Sequence, residues 1–215
     1  MKKVILPLLL ILAFSFLVAV ESDPSAVVGY VRYDLVAGNN FVALPMECPW
    51  TNASELGGSF GGSVTQVSYW DPVIQGFVAA ADLGGFWDGD FPIATSDVLM
   101  LYSSAAVPFY SLGALPAPAT YSLVAGNNTL MIPLNRSDIA MASQLGGELA
   151  AAYASQISKW ESGIQGFVAA ADLGGFWDGD FEVSIAMPLM AYGSGSTTWP
   201  SRAMQAAPAS SKARN

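Results

Sequence analysis

The residues best able to do chemistry are four aspartates in two copies of one hexapeptide. "FWDGDF" places Asp88 and Asp90 around Gly89, and Asp178 and Asp180 around Gly179. Paired carboxylates at a tight turn suit calcium, which takes several oxygen ligands. Asp88, Asp90, Asp178 and Asp180 are therefore candidate calcium ligands, and calcium is the one cofactor these residues suggest. The simpler expectation is a turn, because Asp-Gly reverses a chain readily and the flanking aromatics would anchor adjacent strands. No complete Asp-x-Asp-x-Asp-Gly loop accompanies them. One Asp per half also suits a pseudo-symmetric aspartic protease, but neither Asp88 nor Asp178 is followed by the Ser or Thr that such a site uses. A glycosidase would need two carboxylates at a spacing in space that the sequence does not give.

The chain has no histidine, which removes Ser-His-Asp and Cys-His catalysis and imidazole zinc sites. Cys48 is the single cysteine, so no intramolecular disulfide or thiolate cluster can form. A non-enzymatic protein is expected. Phe86, Trp87, Phe176 and Trp177 lie beside the carboxylates in Gly-rich stretches, where exposed rings would stack on a glycan and buried ones would fill a core.

The elements that position these residues come in two copies. "IQGFVAAADLGGFWDGDF" occurs at Ile74–Phe91 and again, unchanged, at Ile164–Phe181. "LVAGNN" recurs at Leu35 and Leu123, "LGG" at Leu56 and Leu145, and Trp70 matches Trp160. Repeat domains are expected over 28–116 and 117–202, joined by the Pro/Ala-rich "LPAPAT", with a flexible tail over 203–215. The stretch from Gly193 onward is Gly/Ser/Thr/Pro-rich, with Trp199 the one residue expected to dock.

Within a repeat, "VGYVRYDLV" and "FVALPM" flank "GNN" and read as a hairpin. Polar starts at Thr51, Asn52, Ser137 or Asp138 suit a helix N-cap. The pattern predicts a long second helix through "DIAMASQLGGELAAAYAS" and a short first one broken by "GGSFGG". "VTQVSYW", "GFVAAAD", "FPIAT" and "VLMLY" then read as strands. The expected fold is mainly β (α+β): two tandem homologous small β-sandwich or partly open barrel domains, each with one helix after its first hairpin. Domains this small are expected to pack on one another.

Composition narrows the setting. Eight Lys and Arg stand against 17 Asp and Glu, a net charge of −9, so no nucleic-acid partner is expected. Lys2 and Lys3 precede the apolar run Val4–Val20, so 1–22 reads as a signal peptide of a secreted or surface protein. No later segment is long and apolar enough to span a membrane. Asn52, Asn127 and Asn135 each begin an Asn-x-Ser/Thr triplet and are glycosylation candidates.

The succession "LVAGNNFVALPM", "SYWDPVIQGFVAA", "GDFPI" and "DVLMLY" resembles a tandem repeat module of secreted and cell-surface proteins from poorly characterised microbes. The resemblance covers nearly the whole chain after the signal segment and implies location and architecture. It breaks at Glu161 and Ser162, where the first repeat has Asp71 and Pro72.

The flanks of the duplicated peptide have diverged while the peptide has not. A fold constraint preserves residue type and size rather than identity at polar positions such as Gln75 and Gln165. A partner surface made twice is expected, most simply one for self-association into a filament or surface layer. Short edge strands and the apolar "SAVVGYV" would suit strand addition between subunits, and glycans are the alternative partner.

Overall fold

The computed structural model describes residues 28–149 and 153–200. The expected signal segment 1–22, the expected tail 203–215 and residues 150–152 of the expected long helix lie outside the described residues, and the end of that expected helix is instead the start of a strand at Ala154. The chain is mainly β and is built as two similar units, and every strand pairing stays within one unit. In repeat 1, β1 (Val28–Leu35), β2 (Gly38–Ala43), α1 (Ala53–Gly58), β3 (Val64–Asp71), β4 (Gly76–Asp82), β5 (Trp87–Asp88), β6 (Val98–Ser103) and β7 (Val107–Ala114) follow in order. Repeat 2 has β8 (Tyr121–Leu123), β9 (Gly126–Met131), α2 (Ala142–Glu148), β10 (Ala154–Glu161), β11 (Gly166–Asp172), β12 (Trp177–Asp178), β13 (Pro188–Gly193) and β14 (Thr197–Trp199).

Each unit contains a five-stranded antiparallel sheet, in the order β2-β6-β3-β4-β5 and its equivalent β9-β13-β10-β11-β12. A separate ribbon, β1 with β7 or β8 with β14, lies beside the helix on one face of that sheet. The core of repeat 1 fills the space between these layers, with Val42, Leu99, Leu101 and Val67 from the sheet, Leu56 from α1, and Leu35 and Phe109 from the ribbon. Trp199 takes the place of Phe109 in repeat 2 and stacks on Tyr121 at 6.1 Å, as Phe109 does on Tyr33 at 5.7 Å. Trp199 docks as expected, but the stretch after Gly193 is not a tail at once: it returns to the core as β14.

Three local expectations are overturned. β1 and β2 are not a hairpin, because β1 pairs with β7 and β2 with β6. The "GNN" segment is instead a corner between two sheets, pinned by a buried Asn side chain. Asn40 Oδ1 accepts the Val36 N–H at 2.8 Å, and Asn40 Nδ2 donates to the Val36 and Gly38 carbonyls at 2.8 and 2.9 Å. Asn128 repeats this at Val124 and Gly126. "FPIAT" and "FEVSI" form single bridges, Asn52 with Pro92 and Met141 with Glu182, rather than strands. Finally, α2 starts at Ala142, not near Asp138, because Asp138 is paired with the buried Arg136. The helix N-terminus is held from elsewhere in the chain, as described below.

The other face of each sheet explains the continuous apolar runs. "FVA" in β2 and "VLML" in β6 are buried on both sides: Val42, Leu99 and Leu101 point into their own core, while Phe41, Ala43, Val98 and Met100 meet Met131 of repeat 2. Tyr33, Tyr121, Trp160 and Phe167 close the edges of this inter-repeat cluster. The expected packing of the two units is thus a sheet-on-sheet contact.

That contact is reciprocal. Asn39 N–H donates to Gln165 Oε1 at 2.6 Å, and the Asn39 carbonyl accepts from Gln165 Nε2 at 3.2 Å and Trp160 Nε1 at 3.0 Å. In the mirror arrangement Asn127 N–H donates to Gln75 Oε1 at 2.7 Å, and its carbonyl accepts from Gln75 Nε2 at 3.2 Å and Trp70 Nε1 at 2.8 Å. Tyr33 donates to the Ala186 carbonyl and Tyr121 to the Ser96 carbonyl, its equivalent. The two repeats are related like the subunits of an isologous dimer, joined in one chain.

Removing one arm of the clasp exchanges its hydrogen bonds for water at a solvent-exposed site, a loss of roughly 0.5–1.5 kcal/mol per bond. Gln165→Ala is expected to lower the unfolding free energy by that scale, seen as a lower urea midpoint, and Gln75→Ala to do the same from the other side. Unchanged midpoints would contradict the clasp.

Candidate functional site

The duplicated peptide begins at the turn between β3 and β4 and ends just past β5. Its residues divide into those occupied inside the chain and those that are not. Gln75 and Gln165 belong to the first group. They sit in the left-handed region, with φ of 52° and 51°, and their amides form the clasp. The expectation that a separate subunit holds them is corrected: their partner is the other repeat. The clasp also dictates "AGNN", because a Cβ at Gly38 or Gly126 would collide with the Gln amide lying over it.

The next members are local. Phe77 and Phe167 meet Trp70 and Trp160 edge-on at 5.1 and 5.0 Å, which steadies the clasping indoles. Asp82 Oδ1 accepts the Gly84 and Gly85 N–H groups at 3.0 and 2.6 Å, and Asp172 does the same for Gly174 and Gly175. This shapes the β4–β5 reversal, in which both glycines have positive φ.

Trp87 and Trp177 are half-buried, and each lies against its own helix at Gly57 or Gly146, where a Cβ would overlap the ring. That contact accounts for the first glycine of each recurrent "LGG". These indoles are packing residues, so the Phe86–Trp87 and Phe176–Trp177 pairs do not form two-ring glycan platforms; only Phe86 and Phe176 are exposed.

Asp88 and Asp178 are exposed in β5 and β12, opposite Ala81 and Ala171. Gly89, with φ +74°, comes so near β4 that a Cβ would lie 2.7 Å from the Ala79 carbonyl oxygen. The turn then delivers Asp90 to the start of α1. Its Oδ1 accepts the Ser54 N–H at 2.9 Å and its Oδ2 the Ser54 hydroxyl at 2.6 Å. Asp180 holds Ser143 at the start of α2 with the same distances. These carboxylates hold the first helical turns in place of Thr51, Asn52, Ser137 or Asp138; the Asn52 side chain makes no cap bond, while Glu55 reaches back to the Thr51 N–H and Gln144 to the Ala140 and Met141 N–H groups.

Partial desolvation pushes the Asp90 carboxyl up, but hydrogen bonds from the Ser54 hydroxyl, the Ser54 N–H and the Phe91 N–H outweigh it. The net result holds Asp90 below the usual carboxylate range. The four aspartates do not fit calcium. Both oxygens of Asp90 and of Asp180 are engaged by Ser, and no group of three or more acidic, Cys or His side chains is gathered for a metal among the described residues.

What remains unoccupied in the identical peptide is Asp88, or Asp178 in repeat 2, and a set of large apolar side chains. Ile74, Leu83 and Phe86 are 64%, 67% and 66% exposed, and Ile164, Leu173 and Phe176 are 67%, 66% and 67% exposed. Each trio is split between the two ends of β4 or β11, with Ile at the β3–β4 or β10–β11 turn and Leu and Phe together at the β4–β5 or β11–β12 tip. The sequence treated the peptide as one surface, but the structure separates buried joints from this exposed remainder. The clasping Trp70, Trp160, Tyr33 and Tyr121 were not recognised as site residues, although Trp70 and Trp160 recur together with "LVAGNN".

The glycosylation candidates differ in setting. Asn52 is the residue before α1 and bridges Pro92, Asn127 lies in the clasp, and Asn135 is exposed in a turn after β9. No helix among the described residues is long and apolar enough to cross a membrane. Comparison with protein-family models, curated proteins and solved structures gives no match.

Losing a helix cap costs about 0.5–2 kcal/mol. Asp90→Ala is expected to destabilise the protein by that much at pH 7. Because the folded-state pKa is lowered, the Asp90 contribution is present above the ordinary carboxylate range and lost as pH falls through the lowered value. The difference between wild type and variant in chemical denaturation should therefore shrink in strong acid.

Proposed function

We propose that this chain is an exported, non-enzymatic structural subunit that self-associates through two equivalent apolar surfaces, one per repeat, into an extracellular filament or surface layer. The observation that carries this reading is the exposed remainder of the duplicated peptide. Gln75, Phe77, Asp82, Trp87, Gly89 and Asp90 all have internal tasks that hold them constant. Ile74, Leu83 and Phe86 have none, yet both repeats keep them and expose them alike.

Exposed large apolar side chains at hairpin tips are gained surface when a partner covers them, about 1.5–3 kcal/mol for each one fully buried. Two such patches related by the pseudo-twofold give each subunit two equal valences. Contacts made patch to patch can then propagate along a chain rather than stop at a dimer. Side chains rather than backbone make this contact, because β5 and Gly89 already cover β4 at Ala79, Ala81 and Asp82.

The absence of histidine and the structural employment of Asp90 and Asp180 favour a non-enzymatic role. So does the groove beneath the linker, lined by residues such as Pro45, Leu115, Pro118, Met131 and Leu134 with no titratable side chain. The signal-like Met1–Val20 stretch supports export.

Bivalence gives a sharp test by light scattering and negative-stain microscopy. Wild type should form polymers at high concentration. Leu83→Ser with Phe86→Ser should stop at dimers through the intact second patch. Adding Leu173→Ser and Phe176→Ser should give monomers. Wild type that stays monomeric throughout would overturn the proposal.

A further inference from the structure

Repeat 1 carries a surface with no counterpart among the described residues of repeat 2. β1 and β7 pair over eight residues, Val28–Leu35 with Val107–Ala114, whereas β8 and β14 pair over three. Alternation along β1 turns Tyr33 and Leu35 inward and Tyr30, Arg32 and Asp34 outward. The register places Tyr110 opposite Arg32 and Leu112 opposite Tyr30. The exposed Tyr30 and Tyr110 rings stand edge to face at 6.0 Å, and the Arg32 guanidinium lies 5.9 Å from the Tyr110 centroid. Arg32 Nε and Nη2 both reach Asp34 Oδ1, at 2.8 and 2.6 Å.

Past Asp34 this strip enters a groove between the repeats, whose lining includes Arg32, Asp34, Asn40, Trp160 and Ser162. The pseudo-symmetry is broken here in the direction of polarity. Thr120 and Ser122 occupy the places of Arg32 and Asp34 in repeat 2, and Pro72 occupies that of Ser162 in repeat 1. Only one of the two related grooves therefore combines a guanidinium, a carboxylate and this hydroxyl.

We propose that the strip and groove bind a neutral oligosaccharide. A sugar ring presents a C–H face that packs on a phenol or indole, and hydroxyls that donate and accept at once. Arg32 supplies donors, Asp34 an acceptor and Ser162 both, with Arg32 and Asp34 paired at the surface. A polyanion is disfavoured, since the one cation of the strip is already matched by Asp34 and the chain carries −9 overall. From Tyr30 to Asp34 the strand advances about 13 Å, so the surface accommodates several linked rings rather than one. This site is separate from the apolar tips and does not depend on their role.

Titration calorimetry of the full chain against cellohexaose, maltohexaose, mannohexaose and chitohexaose tests it. Saturable binding to at least one is expected. Tyr110→Ala and Arg32→Ala should each weaken it about tenfold, the scale of a contact worth more than 1 kcal/mol. Ser162→Pro, which installs the residue of the other repeat, should also weaken it. Phe86→Ser with Phe176→Ser, which disables the tips, should leave it intact. No binding to any of the four at millimolar concentration, or binding indifferent to Arg32 and Tyr110, would overturn the proposal.

Discussion

A primary amide from each repeat closes on one peptide unit of the other, and the rest of the architecture is arranged around that exchange. Gln165 satisfies both the N–H and the carbonyl of Asn39, and Gln75 does the same for Asn127. Among the described residues the non-glycine positions with positive φ are Gln75, Ser96, Gln165 and Ala186. All four sit at the inter-repeat contact: two supply the amides, and two supply the carbonyls that receive Tyr121 and Tyr33. Left-handed backbone at such residues costs on the order of 1–3 kcal/mol each. The strain is concentrated where hydrogen bonds from the opposite repeat and the shared apolar cluster hold it in place.

This exchange accounts for the identity of "LVAGNN" and of the start of the duplicated peptide. "LVAGNN" and the start of the duplicated peptide face one another across the pseudo-twofold, so a change in either must suit the other copy. The helices do not cross it, yet "ASELGG" and "ASQLGG" differ only at Glu55 and Gln144, since the glycine under each indole and the Ser that meets Asp90 or Asp180 are both kept. Where the copies differ at equivalent places, the packing is solved twice: Tyr69 meets Phe91 edge-on at 4.7 Å, while Lys159 lies 5.1 Å over Phe181.

Much of the unit was legible from local pattern. β3, β4 and β6 follow from alternating or continuous apolar runs, and the Asp-Gly-Asp turn from its composition. The β1–β2 hairpin was misread because Gly-Asn-Asn favours reversal, whereas the buried Asn40 turns the chain into a second sheet instead. β7 and β14 were missed since their partners, β1 and β8, lie far away in sequence. The sequence puts cap candidates next to the helices, whereas the Ser at each helix start is held by an aspartate from the distant β5 or β12 turn.

The sequence by itself determined that the protein is a β-rich duplication without histidine chemistry, because composition and recurrence are properties of the chain alone. It also determined which residues both copies retain. Only the tertiary structure decided why each is retained. A glutamine at a turn, an indole near a glycine and an aspartate after a glycine acquire their roles from groups tens of residues away. Burial and hydrogen-bond partners are set by how two sheets meet, and that geometry separates the internal joints of the duplicated peptide from the Ile, Leu and Phe it leaves exposed.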